Sequence, residues 1–518
     1  MNRDPLRLAH GLALAVAVLA LGLPAVALLR EVPGLPTGDV FGPAMNTAWL
    51  ALGTVAVAGL VGVPLGLLLG RTDVPAAGAL RTASSLPMAI PPFVLAMGWL
   101  ALVDPRQGWF PGLFDATTLL GMAIVLGIEA VPLVLGATAD AVVDLDPAEE
   151  EAARLAGAGP LRTLVSVAWP RARASVFEAL ALAGAGAVAA FGVPYLLASS
   201  NPEPSWVLTT AIARALDLDP AGGRGQATAL ALVLLAGSAA PYAWVRWRRS
   251  TAPATHGRRA RMPLGAWRTP VGALIGVWAT VSVGLPMAAL AALVLRTDGA
   301  SRAVAAKGPL LHSVGLATCT AVATVILGLV VAWAAERTLW PGRGALAELL
   351  TWPAAVPGTV LALGALLAGS QPVSLVVAER VTFTFAIAGS SGLLLVAYVV
   401  RTLPFAIGRL RAALRAAGLA ADEAARLAGA TSLQRLTGVA LPLLVPDVVS
   451  IARVAFLLAL SEVTLSVLLV GPDTRVIGTA LFDAMTYGDP GAAAAIGLGL
   501  ACLAVLGEVP WRGGEWRA

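Results

Sequence analysis

The apolar positions of this chain do not alternate with polar ones; they run on uninterrupted for twenty residues and more. Ten stretches free of Asp, Glu, Lys and Arg are about that long: 8–29, 40–70, 82–103, 179–202, 225–245, 269–295, 308–335, 349–378, 381–400 and 490–507. Two more, 116–139 and 454–472, hold one acid each, Glu129 and Glu462. A helix needs about 20 apolar residues to cross a hydrocarbon core of roughly 30 Å, since each residue advances it by about 1.5 Å. The pattern predicts twelve membrane-spanning helices and an all-α integral membrane protein.

Composition removes the other classes. Of 518 residues, 58% are hydrophobic and 13% charged, against roughly 25% charged in a soluble domain. Mean hydropathy is +0.82. So little charge cannot cover a water-facing surface, which excludes soluble, disordered and secreted proteins. Cys319 and Cys502 lie inside apolar runs and form neither a disulfide framework nor a CxxC metal site. The net charge of +5 is carried almost wholly by arginine, Lys307 being the single lysine. In so apolar a chain the partner of that charge is an anionic bilayer, not nucleic acid. Trp49, Trp244, Trp247 and Trp340 fall at or near span ends, as interfacial aromatics do.

The arginines also orient the chain. With a cytoplasmic N-terminus, 24 basic residues fall in inside loops and 9 in outside loops, with Arg401 and Arg453 too deep to assign. That asymmetry predicts both termini cytoplasmic. Arg3 and Arg7 ahead of the first apolar run also fit a signal peptide. That run has a counterpart later in the chain, so it is expected to remain.

An internal repeat sets the organisation. EAARLAGA occurs at 151–158 and again at 423–430, an offset of 272 that also matches Pro132, Gly136 and Pro170 with Pro404, Gly408 and Pro442. Upstream the offset is 266, pairing Arg71 with Arg337, Pro87 and Pro91 with Pro353 and Pro357, and Gly98 with Gly364. Gly-Leu-Pro at 22–24 returns at 284–286. The chain reads as two homologous six-span halves, 1–255 and 256–518, joined by an arginine-rich stretch around 246–268. An even span number keeps both halves in one orientation, a parallel repeat about the membrane normal.

The longest repeated element lies outside the membrane. Residues 144–173 and 415–445 each begin with acids: Asp144, Asp146 and Glu149 to Glu151 in the first, Asp422 and Glu423 in the second. Acids suit a helix N-terminus; Gly157 and Gly429 can end that helix and turn the chain; Pro170 and Pro442 stand where the next segment re-enters the bilayer. A single copy would read as a solvated amphipathic loop. Two copies at equivalent positions predict a docking surface with two-fold symmetry for a dimeric partner.

Glu151, Ala152, Ala153, Gly157 and Pro170, with Glu423, Ala424, Ala425, Gly429 and Pro442, are similar to the EAA loops of ABC-importer permeases. The resemblance covers roughly 44–247 and 309–511. It includes SLPMAIPP at 85–92, WPAAVPG at 352–358 and RTLP at 401–404; Trp169-Pro170 departs from the usual aliphatic-Pro. The fused form resembles permeases of ferric-iron and thiamine importers. The resemblance implies a MetI-like fold, a pathway between the halves, and EAA loops gripped by a homodimeric cytoplasmic ATPase that binds ATP and Mg. It further implies an extracytoplasmic solute-binding protein and a bacterial inner-membrane location. Ferric iron is the expected substrate, ahead of thiamine and then polyamine, phosphonate or sulfate.

The chain itself carries no P-loop: Lys307 stands between Ala306 and Gly308, in an outside loop. His10, His256 and His312 have no ligand spacing, and no catalytic constellation stands out. The expectation is a transport subunit without enzymatic activity, cofactor or metal of its own. Glu129 and Arg401 occupy equivalent positions at the 272 offset and are candidates for an ion pair at the interface of the halves. Glu462 is a candidate for lining the pathway or for a structural hydrogen bond, and Glu178 is expected near the cytoplasmic end of its span. A six-plus-six secondary transporter is the rival reading, and it would need several buried ionisable residues for coupling ions.

Overall fold

The structure, a computed structural model, describes residues 11, 22–31, 39–106, 108–143, 147–218, 223–248, 263–371, 373–377, 381–385, 387–471, 474–486 and 488–508. Among them, eight helices are long and apolar enough to cross a membrane, or ten if each of two sharply bent pairs is one span. Twelve spans are not reached among these residues, and most of the first expected span lies outside them.

The longest helices come in equivalent pairs. Helices α1 (Leu23–Glu31), α2 (Phe41–Arg71), α3 (Ala77–Ala89), α4 (Pro92–Val103) and α5 (Leu119–Val143) open the chain. In the second half, α6 (Leu285–Thr297), α7 (Lys307–Arg337), α8 (Arg343–Leu349), α9 (Gly358–Gly369) and α10 (Ser391–Ala416) follow the same order. Helix α2 packs along α5 through Gly62, Gly66 and Gly70, where a Cβ would come within 2.9 Å of Val134 Cβ, 2.6 Å of Thr138 Cβ and 2.7 Å of the Ala139 carbonyl oxygen. Lipid tails are as apolar as leucine, so helices associate in a bilayer by such close packing on small residues. At the equivalent crossing of α7 and α10, Gly328 faces Ala406 at 3.0 Å.

The bends fall at repeated prolines. Helices α3 and α4 meet at 96°, and the segment 343–355 meets α9 at 110°. Proline disfavours helical geometry in the residue before it, and the residues before Pro91 and Pro357, Ile90 and Val356, are extended at φ −82°, ψ 137° and φ −87°, ψ 123°.

Two compact units emerge. One holds the described parts of 1–38, 212–232 and 304–483; the other holds 39–211, 233–303 and the described part of 484–518. Helix α1 of the first half therefore packs within the unit built mostly from the second half, on α9, where Pro24 Cβ lies 2.9 Å from a Cβ placed on Gly364. Reciprocally, α6 packs on α4, with Pro286 Cβ 2.8 Å from a Cβ on Gly98. These units and the two sequence halves are different divisions of one chain.

One expected boundary is corrected. Residues expected to continue one apolar span and begin the next form instead an antiparallel hairpin, Val373–Val377 with Val381–Phe385, register Val373 to Phe385. The valines of VSLVV and the valine, threonines and phenylalanines of VTFTF favour strand, and α10 starts at Ser391 rather than at 381. The span expected at 454–472 likewise lies earlier: its helix is Leu441–Leu460, broken at 461–463 before the short helix Thr464–Leu469.

Candidate functional site

The repeated loops have the same succession of backbone elements at the 272 offset, with helix ends matching to within one residue. In the first, helix Pro147–Leu155 ends at Gly157 with φ +80°; a turn of helix, Pro160–Thr163, leads through five π-wound residues, 164–168, into the helix Trp169–Ala189. In the second, helix Ala420–Leu427 ends at Gly429 with φ +83°; Ser432–Arg435 leads through the π-wound 436–440 into Leu441–Leu460. Both surface helices close alike: Ala158 N–H donates to the Ala153 carbonyl at 2.9 Å, and Ala430 N–H to that of Ala425 at 3.0 Å. This six-to-one bond requires the intervening residue in the left-handed region, which glycine adopts without a Cβ clash. Pro170 and Pro442 are the second residues of these helices, directly after the π-wound segments. Asp144 and Asp146 lie outside the described residues.

The outward faces match as well. Glu151, Ala152 and Gly157 are exposed and Ala153 half-buried; Glu423, Ala424 and Gly429 are exposed and Ala425 half-buried. Beside them Leu155 and Leu427 are each 85% exposed. A lone exposed leucine is ordinary. Two at equivalent positions, each before a left-handed glycine, mark a repeated apolar knob. The leucines stand inside the repeated octapeptide, but their direction was not readable there.

Each loop is anchored where it leaves the membrane-spanning bundle. Arg71, at the end of α2, donates to the Val142 carbonyl at 3.4 Å; Arg337, at the end of α7, donates to those of Leu414 and Gly418, both at 2.5 Å. A cation near the last carbonyls of a helix meets the negative end of its dipole, and the repeated arginines thus tie the entry of each loop. Further in, the loops differ. Arg435 pairs with Asp422 in the second, both largely buried, whereas Arg171 pairs with Glu149 on the surface of the first.

Arg401 donates to the Val356 carbonyl at 3.1 Å, the extended residue at the bend before α9. Glu129 is half-buried midway along α5. The Glu462 carboxylate, one residue before the N-cap Val463, accepts from Leu465 N–H at 3.2 Å in the first turn of the short helix Thr464–Leu469.

A second repeated arrangement escaped sequence reasoning. Asn46 donates to the Trp206 carbonyl at 2.9 Å, and His312 meets that of Arg475 at 3.0 Å. In the next position Thr47 Oγ1 accepts from Leu208 N–H at 2.8 Å, and Ser313 Oγ from Ile477 N–H at 2.7 Å. Single polar residues in long apolar runs give no sequence signal of what they hold.

Comparison with known proteins bears on all of this. Residues 62–248 match the family described as binding-protein-dependent transport system inner membrane component. The chain is 26% identical over 500 residues to the probable ABC transporter permease protein y4fN of Sinorhizobium fredii, covering 87% of this chain and 83% of that one. It is 24% identical over 464 residues to the ferric transport system permease protein FbpB of Actinobacillus pleuropneumoniae, covering 84% of this chain and 66% of that one. Over 162 residues it is 30% identical to the probable sulfate transport system permease protein cysT of Chlorokybus atmophyticus, covering 30% of this chain and a little over half, 56%, of that one.

Proposed function

We propose, from the premise that this chain belongs to the binding-protein-dependent permeases of type I ABC importers, that its two surface loops receive a homodimeric cytoplasmic ATPase. Its spanning helices then form the pathway for a solute handed over by an extracytoplasmic binding protein, with both termini cytoplasmic in a bacterial inner membrane. The observation that carries the reading is the equal exposure of Leu155 and Leu427. Each presents an apolar knob at the end of a helix with an acidic start, the shape that fits a groove on each of two identical subunits. Glu151, Ala152, Ala153, Glu423, Ala424 and Ala425 form the faces beside the knobs. Gly157 and Gly429 turn the chain, and Pro170 and Pro442 start the helices that carry motion into the bilayer. ATP and Mg belong to the partner.

The substrate we assign is ferric iron. The relative named for ferric transport aligns along both halves, over 464 residues, whereas the one named for sulfate aligns over 162. Glu462, bonded to a backbone N–H beside a break in its helix, and Glu129 and Arg401, on equivalent helices, are assigned to the pathway and its bordering interface.

The test is purification from native membranes with identification of the bound chains, then uptake assays in cells carrying the identified partners. A nucleotide-binding subunit that accompanies the wild type, and is lost when Gly157 and Gly429 are both changed to Val, supports the importer. Uptake driven by an ion gradient with no such subunit moves the reading to a secondary transporter. Labelled sulfate or thiamine entering where labelled ferric iron does not overturns the substrate alone.

A further inference from the structure

Among the described residues, the two loops share a backbone but not a fastening. In the second, Asp422 lies in the first turn of the surface helix and turns inward, 8% exposed, while its neighbour Glu423 faces out. Arg435, at the end of the next short helix and 9% exposed, meets it with a two-pronged grip: Nε to Oδ1 at 3.0 Å and Nη2 to Oδ2 at 2.5 Å. The guanidinium also lies over the ring of Trp333, 5.5 Å from its centre. Trp333 is almost wholly buried in α7, in a core with Leu410, Leu414 and Leu436. A capping box between Thr431 and Gln434 fixes the start of the short helix that carries Arg435. The surface helix is thus tied through one guanidinium to a spanning helix. A planar fork gripping a carboxylate from two directions fixes angle as well as distance, and stacking on tryptophan adds a third constraint.

At the same offsets the first loop has Thr163 for Arg435, Glu150 for Asp422 and Leu67 for Trp333. Among the described residues, Thr163 Oγ1 bonds within its own turn, to the Gly159 carbonyl at 3.1 Å. The ion pair described in that loop, Arg171 with Glu149, has side chains 63% and 36% exposed. Exposed pairs of that kind constrain little, because water and salt compete for both groups.

We propose that Arg435 is a positioning residue that makes the second loop the stiff one, so the two halves receive unequal thrust from a symmetric ATPase. The inference rests on the reading of these loops as ATPase-docking elements, but the stiffness itself is a property of the permease alone. Motion imposed on helix 420–427 passes through Asp422, Arg435 and Trp333 directly into α7. Motion imposed on helix 147–155 is partly absorbed in the loop before it reaches α2.

The experiment places a spin label at Leu155→Cys or at Leu427→Cys in full-length permease without ATPase, with Cys319 and Cys502 replaced by Ser. Both positions are 85% exposed, so a difference in label mobility reports the helix beneath and not its access to water. The expected result is slower label motion at 427 than at 155, by about twofold or more in correlation time, because among the described residues the buried fork holds the second helix. Arg435→Gln should raise mobility at 427 to the level at 155 and leave 155 unchanged; Arg171→Gln should alter neither by more than about a tenth. The exchanged pair Asp422→Arg with Arg435→Asp should recover part of the restraint. Equal mobility at the two positions in the otherwise wild-type chain overturns the proposal, even if Arg435→Gln fails to reach the membrane. Loss of ATPase co-purification would strike the docking reading and leave this measurement standing.

Discussion

Pro286 sits on Gly98 so closely that a Cβ there would lie 2.8 Å from the proline Cβ and 2.9 Å from its carbonyl oxygen. Pro24 sits on Gly364 in the same way, at 2.9 and 3.2 Å. The repeat thus brings together, twice, a proline that opens one helix and a glycine inside another, from opposite halves of the chain. Neither neighbour is the loose end of a flexible side chain, so an added methyl must move backbone. Gly98→Ala and Gly364→Ala should each destabilise by about 1–3 kcal/mol, read as a lower unfolding midpoint of the purified protein in detergent. Ala at Gly136, where nothing lies within 4 Å, is the control and should change little.

At Gly157 and Gly429 the cost is of another kind. Both have open space where a Cβ would go, but φ of +80° and +83°. Substitution by Ala should cost about 1 kcal/mol through backbone strain alone, and Asn, which tolerates this region better, should cost less. Graded ATPase co-purification in the order Gly, Asn, Ala, Val at either position checks the account. An order that follows side-chain size alone would instead indicate a steric surface.

Leu155→Asp and Leu427→Asp should leave the permease as stable as before, within about 0.5 kcal/mol, since both side chains already face water. Each should weaken ATPase binding by about tenfold or more if the leucine fills a groove in the partner. Affinity measured by titrating purified ATPase against permease in nanodiscs decides it. Unchanged affinity for both variants removes the knobs from the docking surface.

The hydroxyls of Thr47 and Ser313 each accept from a backbone N–H, Leu208 and Ile477 respectively, in buried surroundings. Thr47→Ala and Ser313→Ala strand those donors and should cost about 1–3 kcal/mol each. Thr47→Ser keeps the acceptor and should cost far less. Hydrogen exchange at Leu208 and Ile477 should rise in the alanine variants only. Equal protection in Ala and Ser variants would mean the hydroxyls hold nothing.

Much of the candidate site was legible because it is repeated. The octapeptide EAARLAGA marks both surface helices, and the glycine within it dictates a turn whatever surrounds it, since only the residue's own backbone decides whether φ can be positive. Pro91 and Pro357 were legible only as matched positions of the repeat; that the chain bends there came from the structure. Arg435 was different. In sequence it is one of many loop arginines, and nothing local tells an arginine that grips Asp422 from one that is solvated, such as Arg162 or Arg426.

The sequence by itself determined that the chain is a helical, multi-pass membrane protein and that EAARLAGA occurs twice, 272 residues apart, with further matches at fixed offsets. These follow from hydropathy summed over a span and from chain identity at fixed offsets, quantities that need no knowledge of neighbours. The tertiary structure decided which helix packs on which. It set α1 on α9 and α6 on α4 within their units, turned Leu155 and Leu427 outward, placed a hairpin at 373–385, and buried Asp422 against Arg435. An all-apolar helix has no polar face to declare its partners. Its pairing is settled by the fit of small residues against bulky ones, a property of two surfaces together and of neither alone.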